Sequence, residues 1–203
     1  SELVNSTGCG AVEREWLPTA VYDQIGDRQL AQSVDLGDLL RGLRQRKHPD
    51  EIALLEHCML GGAAGQARAA QVVRPGCTEL EMFREIQSAA TAAVGCPVLL
   101  YGDFRATNAA VPKAGGLPTN RPLQPGDLLI LDFSVVVNGY RSDFTNTLSV
   151  GTPTADQQSL FNTCVQALGR GEDMLRPEVS ASEVYRVTSA QLESAGYDPL
   201  AHH

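Results

Sequence analysis

Two runs of apolar and β-branched residues flank the dipeptide Asn138-Gly139, Leu128 to Val137 before it and Tyr140 to Leu148 after it. Asn-Gly between such runs is the strongest short-range signal for a β-hairpin with a two-residue turn. That turn sets Val137 opposite Tyr140, and counting back puts Ser134 opposite Asp143 and Asp132 opposite Thr145. Asp132 and Asp143 then share a face as diagonal neighbours, their backbones roughly 7–8 Å apart. Two short carboxylates at that separation can converge on a pair of metal ions held about 3.5–4 Å apart. Hard oxygen donors suit manganese or a similar divalent ion. The pair equally fits the solvent-facing side of an ordinary hairpin. Against that, Leu131 and Phe133 bracket the first acid and both faces of its strand read as apolar, as in a covered sheet. An acid buried there must be paired, protonated or metal-bound.

The rest of the chain describes an ordinary globular protein. With 203 residues, 43% of them hydrophobic and 20% charged, it can bury a real core in one or two domains. A net charge of −8 argues against nucleic acid or an anionic membrane as partner. No apolar run reaches the length of a membrane span, and the polar start Ser1-Glu2-Leu3-Val4-Asn5-Ser6 does not read as a signal peptide. Cys9, Cys58, Cys77, Cys96 and Cys164 are odd in number, scattered and free of CxxC spacing. They suggest neither a disulfide framework nor a thiolate zinc site, and the cytoplasm is the expected compartment. His48 and His57 read as surface or packing residues.

A helix pair recurs along the chain. Pro49-Asp50-Glu51 opens a stripe of Ile52, Leu54, Leu55, Cys58 and Met59, with proline and two acids where a first helical turn favours them. Arg74-Pro75-Gly76-Cys77 leads to Thr78 and Glu81, a capping box that starts a second helix ending at Gly95. About a hundred residues on, Pro153-Thr154-Ala155-Asp156 opens a helix carrying Leu160, Phe161, Val165 and Leu168; Arg176-Pro177 then precedes Ser180 and Glu183, and the next helix stops at Gly196. The first copy runs on into the strands of residues 98–150. The second copy is expected to continue likewise, so the chain reads as cut off before its second sheet.

Taken in order, four segments resemble the creatinase/prolidase/methionine aminopeptidase superfamily (peptidase family M24). They are Leu43 to Ile52, Arg74 to Glu81, Gly126 to Phe133, and Gly139-Tyr140-Arg141-Ser142-Asp143-Phe144-Thr145-Asn146-Thr147. The resemblance is nearest to the aminopeptidase P and Xaa-Pro dipeptidase branch. It implies an α+β architecture, the duplicated helix-pair and antiparallel-sheet "pita-bread" fold, with an incomplete second half. Residues 34–203 would be a partial catalytic domain, and residues 1–33, with Trp16-Leu17-Pro18 and Val21-Tyr22, the tail of an N-terminal creatinase-like domain and its linker.

The resemblance also implies that Asp132 and Asp143 are metal ligands, the second bridging two ions. A histidine and two glutamates further downstream would complete the set. His202, just before His203, matches a histidine that contacts substrate in the family. Two divalent ions (manganese, or cobalt or zinc), a peptide or small amide substrate, and a homodimer follow as expectations. Three positions depart from the pattern. Lys113, after Asn108-Ala109-Ala110-Val111-Pro112, occupies the place of a substrate-contacting histidine; Asn146 stands where arginine is common, and Ser134 where glycine is. A lysine replaces a proton-relaying imidazole near pH 7 only if its pKa falls substantially, so Lys113 reads as a catalytic or a surface residue. The expected activity is metal-dependent hydrolysis of peptide or amide bonds in the manner of an Xaa-Pro aminopeptidase or dipeptidase. A metal-independent, creatinase-like amidinohydrolase and a non-catalytic peptide-binding member of the fold are the alternatives.

Overall fold

The computed structural model describes residues 10–25, 27–113 and 115–198, and contacts divide the chain into two compact units, residues 1–56 and 57–203. In the first unit, β1 (Ala11–Val12) pairs in parallel with β2 (Val34–Asp35), and helices α1 (Thr19–Ile25) and α2 (Asp27–Gln32) lie between them in the chain. The Arg14 guanidinium donates to the carbonyls of Leu30 (2.8 Å) and Ser33 (2.9 Å). One side chain thus satisfies two carbonyls at the end of α2 and just beyond it. Asp35 caps helix α3 (Leu36–Gln45), its carboxylate accepting the Gly37 N–H at 2.9 Å, as short acidic side chains do at helix starts.

Helix α4 (Pro49–Val72) begins with proline and two acids. Helix α5 (Glu79–Val94) opens on the capping box: the Thr78 hydroxyl accepts the Glu81 N–H at 3.1 Å, and the Glu81 carboxylate accepts the Thr78 N–H at 2.8 Å. It ends at Gly95 in left-handed conformation. After the sheet, helix α6 (Ala155–Glu172) starts on a box made by Thr154 and Gln157. In helix α7 (Ala181–Ser194) the Ser180 hydroxyl accepts the Glu183 N–H. The repeat legible in the sequence is therefore a pair of capped helix hairpins.

Between the helix pairs lies an antiparallel sheet of β3 (Leu99–Thr107), β4 (Leu128–Val137), β5 (Tyr140–Arg141) and β6 (Phe144–Ser149). Asn138 and Gly139 both have positive φ, 49° and 83°, the type I′ turn that an Asn-Gly hairpin requires. The register is the one the turn dictates: Val137 faces Tyr140, Phe133 faces Phe144 and Asp132 faces Thr145. On its other edge β4 pairs with β3, Asp132 facing Asp103.

The odd-numbered side chains of β4 (Leu129, Leu131, Phe133, Val135 and Val137) enter the core with Met82, Ile86, Ala90 and Val94 of α5. The Phe83 ring meets Phe104 edge to face with centroids 5.0 Å apart, and Phe104 stacks on Phe133 at 5.5 Å. Three glycines bring α4 onto this layer. A methyl at Gly61 would lie 2.8 Å from Val94 and 3.0 Å from Val135; one at Gly65 would lie 2.9 Å from Ile86. The even-numbered positions differ from the sequence expectation of a strand covered on both faces. Leu128, Ile130, Asp132 and Val136 are only half-buried and Ser134 is buried; on this face Asp132 and Ser134 border an open cleft. Among the described residues no helix is long and apolar enough to cross a membrane.

Candidate functional site

Ser142 decides how the second aspartate is presented. Its own N–H donates to the Val135 carbonyl (3.0 Å), while its buried hydroxyl accepts the Val135 N–H (3.0 Å) that a regular ladder would give to the Ser142 carbonyl. Residues 142 and 143 therefore leave the ladder without a change of register, since pairing resumes at Phe144. Asp143 is lifted from the strand edge and exposed, with Arg141 3.8 Å away in a solvent-exposed pair of the kind that contributes little by itself.

Asp132 and Asp143 line one open cleft of about 590 Å³, together with Tyr101, Gly102, Asp103, Gly116, Leu117, Ser134 and Arg141. Asp132 is half-buried, and among the described residues its carboxylate has no hydrogen-bond or ion-pair partner. Gly102, opposite Phe133, has φ +147° and lies so close to the Asp132 carbonyl that a Cβ would overlap it. The glycine lets the two strands close up directly behind Asp132. Asp103 faces Asp132 across the ladder, an arrangement of like charges that costs stability. The Asp103 carboxylate is offset by the Gly116 N–H at 2.8 Å and by Arg105 at 4.0 Å. Across the mouth, the Arg141 guanidinium stands 6.0 Å over the Tyr101 ring, within cation–π reach.

The segment joining β3 to β4 supplies the Gly116–Leu117 wall of this cleft and is pinned by two buried carboxylates. Asp127, fully buried, accepts from the Asn108 amide, from Arg121 (3.0 Å) and from the Gln124 N–H (2.9 Å). Glu79, also fully buried, accepts from the Ala106 N–H (3.0 Å), the Thr119 N–H (2.9 Å) and hydroxyl (2.7 Å), and the Lys113 ammonium (2.6 Å). Burial by itself raises a carboxylate pKa. In Glu79 the bonds from Lys113, Thr119 and Ala106 outweigh it, and in Asp127 those from Gln124, Arg121 and Asn108 do, so both groups titrate below the ordinary carboxylate range.

The two aspartates singled out in the sequence thus line the same cleft. Lys113 is not among its lining residues: its ammonium lies on Glu79, with the Leu117 carbonyl at 3.3 Å. His202 lies outside the described residues. Gly102, Asp103 and the Glu79 cluster are features of the site absent from the sequence expectations. A glycine inside the apolar alternation of Leu100, Phe104 and Ala106 was the available signal for a close backbone approach. Nothing local marked Glu79, whose partners are 27 to 40 residues away.

Hard carboxylate oxygens on Asp132 and Asp143 fit a divalent ion in chemistry but not in number. Among the described residues no group of three or more His, Cys, Asp or Glu side chains could hold one, whereas such ions take about four or more donors.

Residues 54–203 match Metallopeptidase family M24, and the chain belongs to that family. An Xaa-Pro dipeptidase of Lactobacillus helveticus is 27% identical over 98% of this chain and 55% of its own length; one from Pyrococcus furiosus is 23% identical over 83% and 48%. Among solved structures, dipeptidase PepE from Mycobacterium ulcerans superposes with a TM-score of 0.76 at 28% identity, covering 92% of this chain and 50% of that one. Prolidase from Pyrococcus furiosus gives 0.77 at 20% identity over 100% of this chain and 59% of its own, a likeness of fold. The helix pairs and antiparallel sheet are therefore those of the pita-bread fold, as the sequence led one to expect. The chain spans about half the length of the curated relatives it matches.

Proposed function

We propose that the whole protein hydrolyses peptide bonds close to a substrate N-terminus, with Xaa-Pro dipeptides or peptides as the substrate class. The observation that carries this reading is Asp132: half-buried, without a protein donor, and diagonal to Asp143 in an open cleft. An acid so placed is held for something the protein does not itself supply. Asp132 and Asp143 would bind two divalent ions (manganese, or cobalt or zinc) together with donors outside the described residues. When bound, such ions lower the pKa of a water and polarise a scissile carbonyl. Around them Gly102 fixes the Asp132 backbone, Ser142 presents Asp143, and Tyr101, Leu117 and Arg141 offer apolar and cationic surface to a peptide. His202 is assigned as a substrate contact on the family resemblance alone. Residues 34–203 are assigned to the catalytic domain and 1–33 to the tail of a preceding one.

The test uses the full-length protein. Metal content by elemental analysis and release of the N-terminal residue from a dipeptide ending in proline should both be lost in Asp143→Asn, with the fold intact by circular dichroism. Unchanged metal stoichiometry and turnover in that variant would sink the assignment. Cleavage of small amidines that survives a chelator, or tight peptide binding without turnover, would replace it with one of the two other chemistries.

A further inference from the structure

Lys113 stands where the family pattern leads one to expect an imidazole, and its surroundings give the lysine a different task. The loop it belongs to leaves β3 at Thr107 and reaches β4 at Leu128. Its first part is held to Asp127 through Asn108 and its last part to the same carboxylate through Arg121. The middle, which forms a wall of the cleft, is tied down at three points. The Phe104 N–H donates to the Gly116 carbonyl (3.2 Å), the Gly116 N–H donates to Asp103 (2.8 Å), and Lys113 and Thr119 both donate to the buried Glu79 carboxylate. The Lys113 side chain is one-fifth exposed and that of Glu79 not at all. Glu79 itself sits in the first turn of α5, and its other oxygen accepts the Ala106 N–H of β3. One carboxylate therefore joins helix, strand and loop, and the Lys113 ammonium is the cation that offsets its charge.

We infer that Lys113 is a positioning residue: through the ion pair with Glu79 it fixes the Gly116–Leu117 wall of the aspartate cleft, and it does not touch substrate. Two observations carry this. The ammonium is engaged by Glu79 of α5 and approached by the Leu117 carbonyl of the loop and the Phe104 carbonyl of β3, at 3.3 and 3.5 Å, so its three donors face protein acceptors away from the cleft. The wall it holds, and not Lys113 itself, borders Asp132 and Asp143. Removing the cation leaves a buried carboxylate short of a partner, which is strongly unfavourable, and takes away one of the three anchors of the loop.

As a site for substrate, the cleft rests on the peptidase reading above; the anchoring of the loop does not. The experiment separates the two. In the full-length protein, Lys113→Met should speed amide hydrogen exchange at Gly116 and Thr119 by about tenfold or more while the β4 amides of Leu129 and Leu131 keep their protection. Lys113→Arg, which retains the cation, should recover most of it. With an Ala-Pro dipeptide and added manganese, Lys113→Met should raise KM by about tenfold with kcat within about threefold and the pH profile of kcat unmoved. Unchanged exchange at Gly116 and Thr119, or a lost limb of the kcat profile with KM unaltered, overturns the inference. If the unsubstituted protein fails to turn over dipeptide, the peptidase reading falls and the exchange comparison alone decides the role of Lys113. Should Lys113→Met also expose the β4 amides, the milder Lys113→Gln is judged by the same loop-against-strand comparison.

Discussion

Gly102 shows how much of the cleft depends on one absent side chain. A Cβ there would overlap the Asp132 carbonyl oxygen and come within 2.6 Å of the Phe133 Cα, and the φ of +147° is one that other residues rarely adopt. Neither obstacle can be relieved by turning a side chain, because both are backbone. Gly102→Ala should therefore cost about 2–4 kcal/mol in urea unfolding and displace Asp132 with its strand. In the full-length protein the same variant should bind less metal than the unsubstituted protein at equal free ion. Full stability with unchanged metal content would show that the close approach is not needed. Ser142 acts on the same scale but in the opposite sense: its hydroxyl occupies a ladder position so that the neighbouring Asp143 leaves the ladder.

Among the elements, α4 is governed by a conflict between intrinsic preference and packing. Gly61, Gly62 and Gly65 each weaken an isolated helix by about 1 kcal/mol relative to alanine, so propensity alone predicts that Gly61→Ala stabilises the protein. The methyl would instead meet Val94 at 2.8 Å and Val135 at 3.0 Å, on two separate core elements. The expected net result is destabilisation by about 1–3 kcal/mol, read as a lowered midpoint in urea with unchanged slope. A raised midpoint would mean that the core yields to the extra methyl at little cost. Helix ends show no such conflict. Thr78 with Glu81, Thr154 with Gln157, and Ser180 with the Glu183 amide all cap where the sequence places them, since a cap needs only residues three apart.

At the scale of the whole molecule, Glu79 and Asp127 couple distant segments, and both are held below the ordinary carboxylate pKa by their donors. An unfolded-chain carboxylate titrates near ~4. A folded pKa depressed below that gives stability that is full above the unfolded value and is lost as pH falls through the folded one. Stability of the protein should accordingly be level near neutrality and decline below about pH 5. Asp127→Asn strands the Arg121 guanidinium and should lower stability at pH 7 by about 1–3 kcal/mol. It should also make the acid decline shallower. Urea midpoints measured from neutrality down through the acid decline test both; a curve merely shifted downward, with the original slope, would show that Asp127 does not titrate low in the fold.

Much of this protein is local physics that the chain itself prescribes. Asn138-Gly139 fixes a type I′ turn, the turn fixes the hairpin register, and the register aligns Asp132 with Thr145, while the Ser142 hydroxyl bond presents Asp143. Residues three or four apart decide the helix starts in the same way. What the tertiary structure decided lies between segments far apart in sequence: that Asp103 faces Asp132, that Gly102 admits its neighbour's backbone, and that Lys113 turns to Glu79 rather than into the cleft. A side chain's partner across 34 residues is set by which elements pack together and how closely. That is determined by the summed burial of the helix and sheet faces and leaves no mark at the position itself.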